Sequence, residues 1–147
     1  MSIKDQINAD LKEAIKSQNN AKRDALRGLM AAIRQVEVDK QKDVSDDDVV
    51  AILQKEAKNR NETIDAFTQG GRPDDAQQER LELAIIEQYL PEQLSHEELE
   101  AMVENAIAQS GASSVQDTGK VMGLVMQQAK GRADGKVISQ IVREKLS

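Results

Sequence analysis

Residues 89–95 read Tyr-Leu-Pro-Glu-Gln-Leu-Ser, and this stretch decides how the chain is organised. Pro91 disfavours helical backbone at the residue before it, so a helix arriving from the N-terminal side should end there. Ser95 stands three residues before Glu98, which is the capping-box spacing of a helix start. We therefore predict two helical units, residues 1–92 and residues 93–147.

The residues before this boundary predict four helices. Apolar residues recur every three to four positions, which is typical of amphipathic helices. A polar turn at 18–20 separates the first two helices. Ser45, followed by three aspartates, is a strong start for the third, and the pair at 70–71 (Gly-Gly) ends it. Pro73 fits the entry of the fourth. Neighbouring helices joined by such short turns should pack antiparallel.

The residues after the boundary predict three further helices. Gly111 is expected to end the first of them, and the next should begin near Thr118. The sequence Gly-Arg-Ala-Asp-Gly at 131–135 should separate that helix from the last. No stretch shows the alternation of a strand. We predict an all-α fold, with an N-terminal four-helix unit followed by a small C-terminal three-helix tail domain.

The composition excludes several kinds of active site. The chain has no cysteine, so disulfides, zinc–thiolate sites and cysteine nucleophiles are excluded. His96 is the single histidine, and neither a P-loop nor a Gly-x-Ser-x-Gly motif is present. We therefore expect no catalytic residues, no metal site and no cofactor. The first residues lack the apolar segment of a signal peptide, and no apolar run is long enough for a membrane span, so we expect a cytoplasmic protein.

Charge is distributed unevenly along the chain. The net charge is −6, yet residues 1–42 carry nine Lys and Arg against six Asp and Glu, and residues 111–147 carry six against three. The acidic excess is therefore confined to residues 43–110. This pattern fits a solvated helical surface, and it also fits a polyanion contact at the two basic ends.

The first candidate contact is a set of arginines on the second helix. Arg23, Arg27 and Arg34 stand at helical offsets 0, 4 and 11, which places them on one side of that helix. The planar guanidinium suits phosphate. The alternative is a solvated helix face on which these arginines pair with acids such as Asp24 or Glu37.

The second candidate lies in the tail. Gly119 and Gly123 share one helix face, and their cost of about 1 kcal/mol each in a helix interior suggests close approach of another backbone, either the seventh helix or a ligand strand. Lys120 lies beside them. Lys130, Arg132 and Lys136 surround a glycine-containing corner between two helices, where backbone N–H groups and a helix N-terminus could help to hold phosphates.

These motifs carry a resemblance to the GatB/YqeY family, and the match to a stand-alone YqeY-like protein covers essentially the whole chain. The motifs are YLPEQLS at 89–95, GASS at 111–114, GKVMG at 119–123 and KGRADG at 130–135. The resemblance implies an N-terminal helical domain and a three-helix tail, similar to the domains that help hold tRNA in the B subunit of glutamine-dependent tRNA amidotransferase. The family is associated with carbon–nitrogen ligase activity using glutamine as amide donor, but this chain resembles only the non-catalytic appendage.

The resemblance favours a tRNA-binding accessory module without independent activity, with Lys120, Lys130, Arg132 and Lys136 as its phosphate contacts. The acidic middle favours an alternative, in which the chain is a protein-interaction module that docks on an amidotransferase or an aminoacyl-tRNA synthetase without RNA contact. The least favoured hypothesis is an amide-transferring enzyme. The chain has a single histidine, no cysteine and no nucleotide-binding loop, so few residues could act as catalysts.

Overall fold

A computed structural model describes residues 1–147 and contains seven α-helices and no β-strand. The predicted all-α class is therefore confirmed. The chain divides into two compact units, Met1–Leu90 and Pro91–Ser147. That the two units are domains able to fold independently stays a prediction. None of the helices combines the length and the apolar character needed to cross a membrane.

The first unit contains four helices and the second contains three. The helices are α1 (Ile3–Lys16), α2 (Asn20–Lys40), α3 (Asp46–Gln69), α4 (Pro73–Glu87), α5 (His96–Ser110), α6 (Thr118–Ala129) and α7 (Gly135–Leu146). A single 3₁₀ turn, Val115–Asp117, leads into α6.

The core of the first unit is aliphatic and is closed by a polar contact. Its fully buried side chains include Ile7, Leu26 and Leu53. The hydroxyl of Tyr89, just after α4, donates a hydrogen bond to the carboxylate of Asp10 on α1. Burial raises the pKa of Tyr89 and the bond to Asp10 raises it further, so the phenol stays protonated as the donor. This bond ties the end of α4 to α1.

Serine caps begin three of the helices, and the sequence predicts the two at Ser45 and Ser95. The hydroxyl of Ser45 accepts the N–H of Asp48, and the carboxylate of Asp48 accepts the N–H of Ser45, which completes a capping box. Ser2 and Ser95 accept the corresponding N–H at α1 and α5. The Ser95 N–H does not donate to the Glu98 carboxylate, so the capping box predicted there is only half formed.

Replacing Ser45 tests the contribution of the complete capping box. Ser45→Ala should lower the free energy of unfolding of the first unit by about 1 kcal/mol, because the N–H of Asp48 loses its acceptor. Urea denaturation followed by circular dichroism measures the change. Ser17→Ala, which lies at the C-terminal end of α1 and caps no N-terminus, serves as the control. Equal midpoints for Ser45→Ala and the unchanged protein would contradict the assignment.

The second unit has its own aliphatic core. Val103 of α5, Val121 and Val125 of α6 and Ile138 and Val142 of α7 are fully buried within it. A unit of this length buries a small apolar area, so a single core leaves its stability marginal. Each of these side chains therefore carries a large share of the free energy that holds the tail together.

The segment before α5 belongs to the second unit because the corner between α6 and α7 binds it. The N–H of Leu94 donates to the carbonyl of Arg132 at 2.8 Å. The Gln93 amide donates to the Gly131 carbonyl at 3.1 Å, and Arg132 Nε donates to the Glu92 carbonyl at 3.1 Å. We call these three bonds the linker clasp. They place residues 91–92 with the tail, two residues before the division expected from the sequence.

Candidate nucleic-acid interface

None of the four predicted tail cations forms an ion pair, and the side chains of three of them also form no hydrogen bond. Lys120 on α6, Lys130 at its C-terminal end and Lys136 in the first turn of α7 are all exposed, and none lies within 4.0 Å of a carboxylate oxygen. Lys145 differs, because its ammonium lies 2.9 Å from Glu104 and this contact raises its pKa. None of the three lysines would have to break an ion pair to bind an anion, although Lys120 contributes to the lowered pKa of Asp117.

The fourth predicted cation has a partner within the chain. Arg132 is half-buried and its Nε donates to the Glu92 carbonyl, so it is part of the linker clasp. Sequence spacing could not reveal this bond, since the two residues lie 40 positions apart. Arg132 thus positions the corner that carries Lys130 and Lys136.

The N-terminus of α7 already has a carboxylate cap. Asp134 Oδ1 accepts the backbone N–H of Lys136 at 3.0 Å. A phosphate at this terminus would meet that carboxylate, whose negative charge would repel it. The sequence suggested that this terminus could help to hold phosphates; with Asp134 in that place, the lysine side chains are the corner's remaining candidates for binding an anion.

The glycines of α6 lie on an open surface. A Cβ added to Gly119 or Gly123 would meet no atom within 4 Å. The expected close approach of α7 at these glycines is therefore wrong, because the packed face of α6 is the one that carries Val121 and Val125. Met126, one turn further along, is 45% exposed. The glycines thus leave bare helix backbone facing solvent beside the lysines.

Arg132 gives a testable consequence of the linker clasp. Arg132→Ala should lower the free energy of unfolding of the tail by about 1 kcal/mol, because the Glu92 carbonyl loses a charged donor at a partly exposed site. Urea denaturation measures the change, with Lys130→Ala as a control at a neighbouring position that lacks a partner. Equal effects of the two substitutions would show that the bond between the Arg132 side chain and the Glu92 carbonyl contributes nothing to stability.

The stability of the tail should depend on pH through the carboxylate of Asp117. Its Oδ2 accepts the N–H groups of Ser113 at 2.9 Å and Ser114 at 3.4 Å, and these bonds lower the pKa of Asp117 below its ordinary value. A carboxylate with a lowered folded-state pKa adds stability above its unfolded-state pKa, and this stability is lost as the pH falls through the folded-state pKa.

The unchanged protein should therefore be more stable than Asp117→Asn at pH 7, and the difference should shrink as the pH falls from 4 to 2.5. Urea midpoints of the tail at these pH values test this. Asp134→Asn is a useful comparison, because the pKa shift described for Asp117 does not involve it. A difference for Asp117→Asn that stays constant from pH 7 to pH 2.5 would contradict the account.

The arginines of α2 fall into two groups. Arg23 forms an ion pair with Asp24 at 3.0 Å, so the alternative interpretation of the sequence holds for it. Glu37 pairs with Lys4 at 2.9 Å rather than with Arg34, and this contact lowers the pKa of Glu37. Arg27 and Arg34 are exposed and form no ion pair. Only these two keep the free guanidinium that the first candidate site requires.

An ion cluster that the sequence interpretation missed lies between α3 and α4. Arg60 approaches Glu82 at 3.2 Å, Glu79 at 3.5 Å and Glu56 at 4.0 Å. Burial raises the pKa of Glu82, while Arg60 opposes the shift. The spacing of four residues between Glu56 and Arg60 was the available sequence signal.

A cavity of about 80 Å³ adjoins the cluster. No group of three or more His, Cys, Asp or Glu residues in the chain is arranged to hold a metal ion.

These features define an all-helical, two-unit protein whose second unit carries exposed lysines and solvent-facing glycines on α6 and α7. A family model described as Yqey-like protein matches residues 4–146. The chain therefore belongs to the YqeY-like protein family, as its motifs at 89–95 and in the tail indicated.

The chain is also similar to fungal proteins named Altered inheritance of mitochondria protein 41, mitochondrial. It is 27% identical to the protein from Pyrenophora tritici-repentis over 141 residues, which cover 94% of this chain and 77% of that protein. It is 33% identical to the protein from Eremothecium gossypii over 85 residues, which cover 57% of this chain and 46% of that protein. The expected cytoplasmic location of this chain stays a prediction.

Proposed function

We propose that this protein is a non-catalytic accessory module that binds tRNA through its C-terminal unit. The observation that carries the proposal is that the three lysines Lys120, Lys130 and Lys136 are exposed and form no ion pair, on a unit whose Gly119 and Gly123 leave the surface of α6 open. Family membership supports it, since the tail resembles the domain that helps hold tRNA in the B subunit of glutamine-dependent tRNA amidotransferase.

The distribution of charge within the tail favours an RNA contact on α6 and α7. Five of its eight acidic residues lie between Glu92 and Glu104, before or within α5, whereas all six of its basic residues lie between Lys120 and Lys145. A polyanion is therefore attracted to one part of the unit and repelled by another. This separation orients an approaching RNA toward the lysines.

The chemistry of the surface limits what such an RNA contact can read. The tail contains no Phe, Tyr or Trp, so bases cannot stack on aromatic rings there. Lysine ammonium groups bind phosphates as point charges. The missing side chains at Gly119 and Gly123 let a sugar–phosphate strand approach the helix backbone. Binding would then follow the shape and backbone of the RNA rather than its sequence.

A salt titration of tRNA binding tests the proposal. Each neutralised phosphate releases condensed counterions, so three lysine contacts predict a log–log slope of affinity against salt of about −2 to −3. Filter binding between 50 and 300 mM salt measures the slope. Lack of binding at 50 mM salt, or an affinity that does not change with salt, would contradict RNA binding. Release of ammonia from glutamine by the purified protein would contradict the non-catalytic part.

A further inference from the structure

One exposed stripe on α2 has no partner within the first unit. Arg27, Ala31, Arg34 and Val38 follow one another at intervals of four, three and four residues. All four are exposed, and Val38 is 70% exposed although it is apolar. We call these four residues the α2 stripe.

The α2 stripe lies on a helix that is held firmly from its other side. Leu26, Leu29, Met30 and Ile33 of the same helix are buried in the core of the first unit. With 3.6 residues per turn, the stripe lies roughly a third of a turn round the helix from this buried face. Substitutions in the stripe should therefore leave the fold of the unit intact.

The spacing of the stripe matches the contact line of two packed helices. Intervals of four and three residues average 3.5, which is the repeat that keeps one helix face against a partner helix. Ala31 is small enough to let another helix come close, and Val38 offers an apolar contact. Arg27 and Arg34 are two turns apart, about 10 Å along the axis, and neither forms an ion pair, although Arg34 contributes to the lowered pKa of Glu37.

We propose that the α2 stripe docks an acidic amphipathic helix of a protein partner. Charge complementarity supports this occupant, since the two unpaired guanidinium groups would meet carboxylates while Ala31 and Val38 meet the apolar residues of the same helix. RNA fits less well. A phosphate backbone gains nothing from the apolar side chain of Val38, which is 70% exposed. The proposal goes beyond tRNA binding by the tail and does not depend on it.

The test uses a designed peptide and the full chain. The probe is a fluorescein-labelled peptide of three heptads with Leu at d, Ala at a and Glu at e and g, and its counterpart has Lys in place of every Glu. Fluorescence anisotropy should show binding of the acidic peptide alone. Arg27→Glu with Arg34→Glu should weaken it at least tenfold, and Val38→Asp should weaken it as well.

The matched control is Lys55→Glu with Lys58→Glu, two exposed and unpaired lysines on α3, which changes the net charge equally. This control should alter the affinity less than twofold. Equal losses in the two double variants, or no binding of the acidic peptide up to 1 mM, would overturn the proposal. So would a loss of tRNA affinity specific to the arginine variant, or self-association of the chain that the arginine variant abolishes in sedimentation, because the stripe would then bind RNA or a second copy.

Discussion

Neutralising the three unpaired tail lysines should lower tRNA affinity at 50 mM salt by on the order of a thousandfold. The variant is Lys120→Gln, Lys130→Gln and Lys136→Gln combined. Counterion release makes affinity vary as about the −0.7 to −0.9 power of salt for each phosphate contact. Extrapolated from 1 M to 50 mM salt, one contact is then worth roughly 8- to 15-fold, and three contacts multiply to roughly 500- to 3,000-fold.

The control for this triple variant keeps the net charge change and moves it to the first unit. Lys12, Lys55 and Lys58 are also exposed and form no ion pair, so replacing all three by Gln alters long-range attraction to the same degree. Filter binding should show that the control keeps most of its affinity and its salt slope, while the tail variant loses both. A similar loss of affinity in the two variants would mean that tRNA binding depends only on the net charge of the protein.

Replacing Ile138 by Ala should unfold the tail and leave the first unit folded. Ile138 is fully buried among residues of α5, α6 and α7. Removing a large aliphatic side chain from such a site costs about 2–5 kcal/mol, and a core in a unit this small rarely supplies more than about 3–5 kcal/mol. The substitution therefore removes most or all of the stability of the tail.

Two-dimensional ¹⁵N–¹H spectra measure this outcome directly. The signals of α5–α7 should collapse to the narrow range of an unfolded chain, while those of residues 3–87 keep their dispersion. The reciprocal variant, Leu53→Ala in the core of the first unit, should spare the tail signals. Loss of both sets of signals in either variant would contradict the prediction that the two units fold independently.

The helices and most of their ends could be predicted because local interactions specify them. Pro73 begins α4, as the missing N–H of proline allows. Gly111 follows α5 with a φ of +69°, a conformation that glycine adopts without strain. The complete box at Ser45 needs only residues three apart. The α2 helix ends at Lys40, where Gln41 turns into the left-handed region at φ +53°.

The candidate site could be predicted only in part, because several of its groups are arranged by contacts between distant residues. The cations of the corner were visible in the sequence. The bond that holds Arg132 to Glu92 was not, because it depends on where the segment before α5 lies against the corner. The glycines of α6 suggested close packing, although the positions of Val121 and Val125 already indicated that the opposite face of this helix is the packed one. The Arg60 cluster likewise needs α4 beside α3.

Chemical-shift mapping of the ¹⁵N-labelled full chain with bulk tRNA tests the central claim most directly. We expect salt-sensitive changes at the amides of Lys120, Gly123, Lys130 and Lys136, with the residues of α1–α4 largely unaffected. Lys55 and Lys58 serve as internal controls, because they are equally exposed lysines on the first unit. Absence of any change at 50 mM salt, or changes confined to residues 1–90, would contradict tRNA binding by the tail.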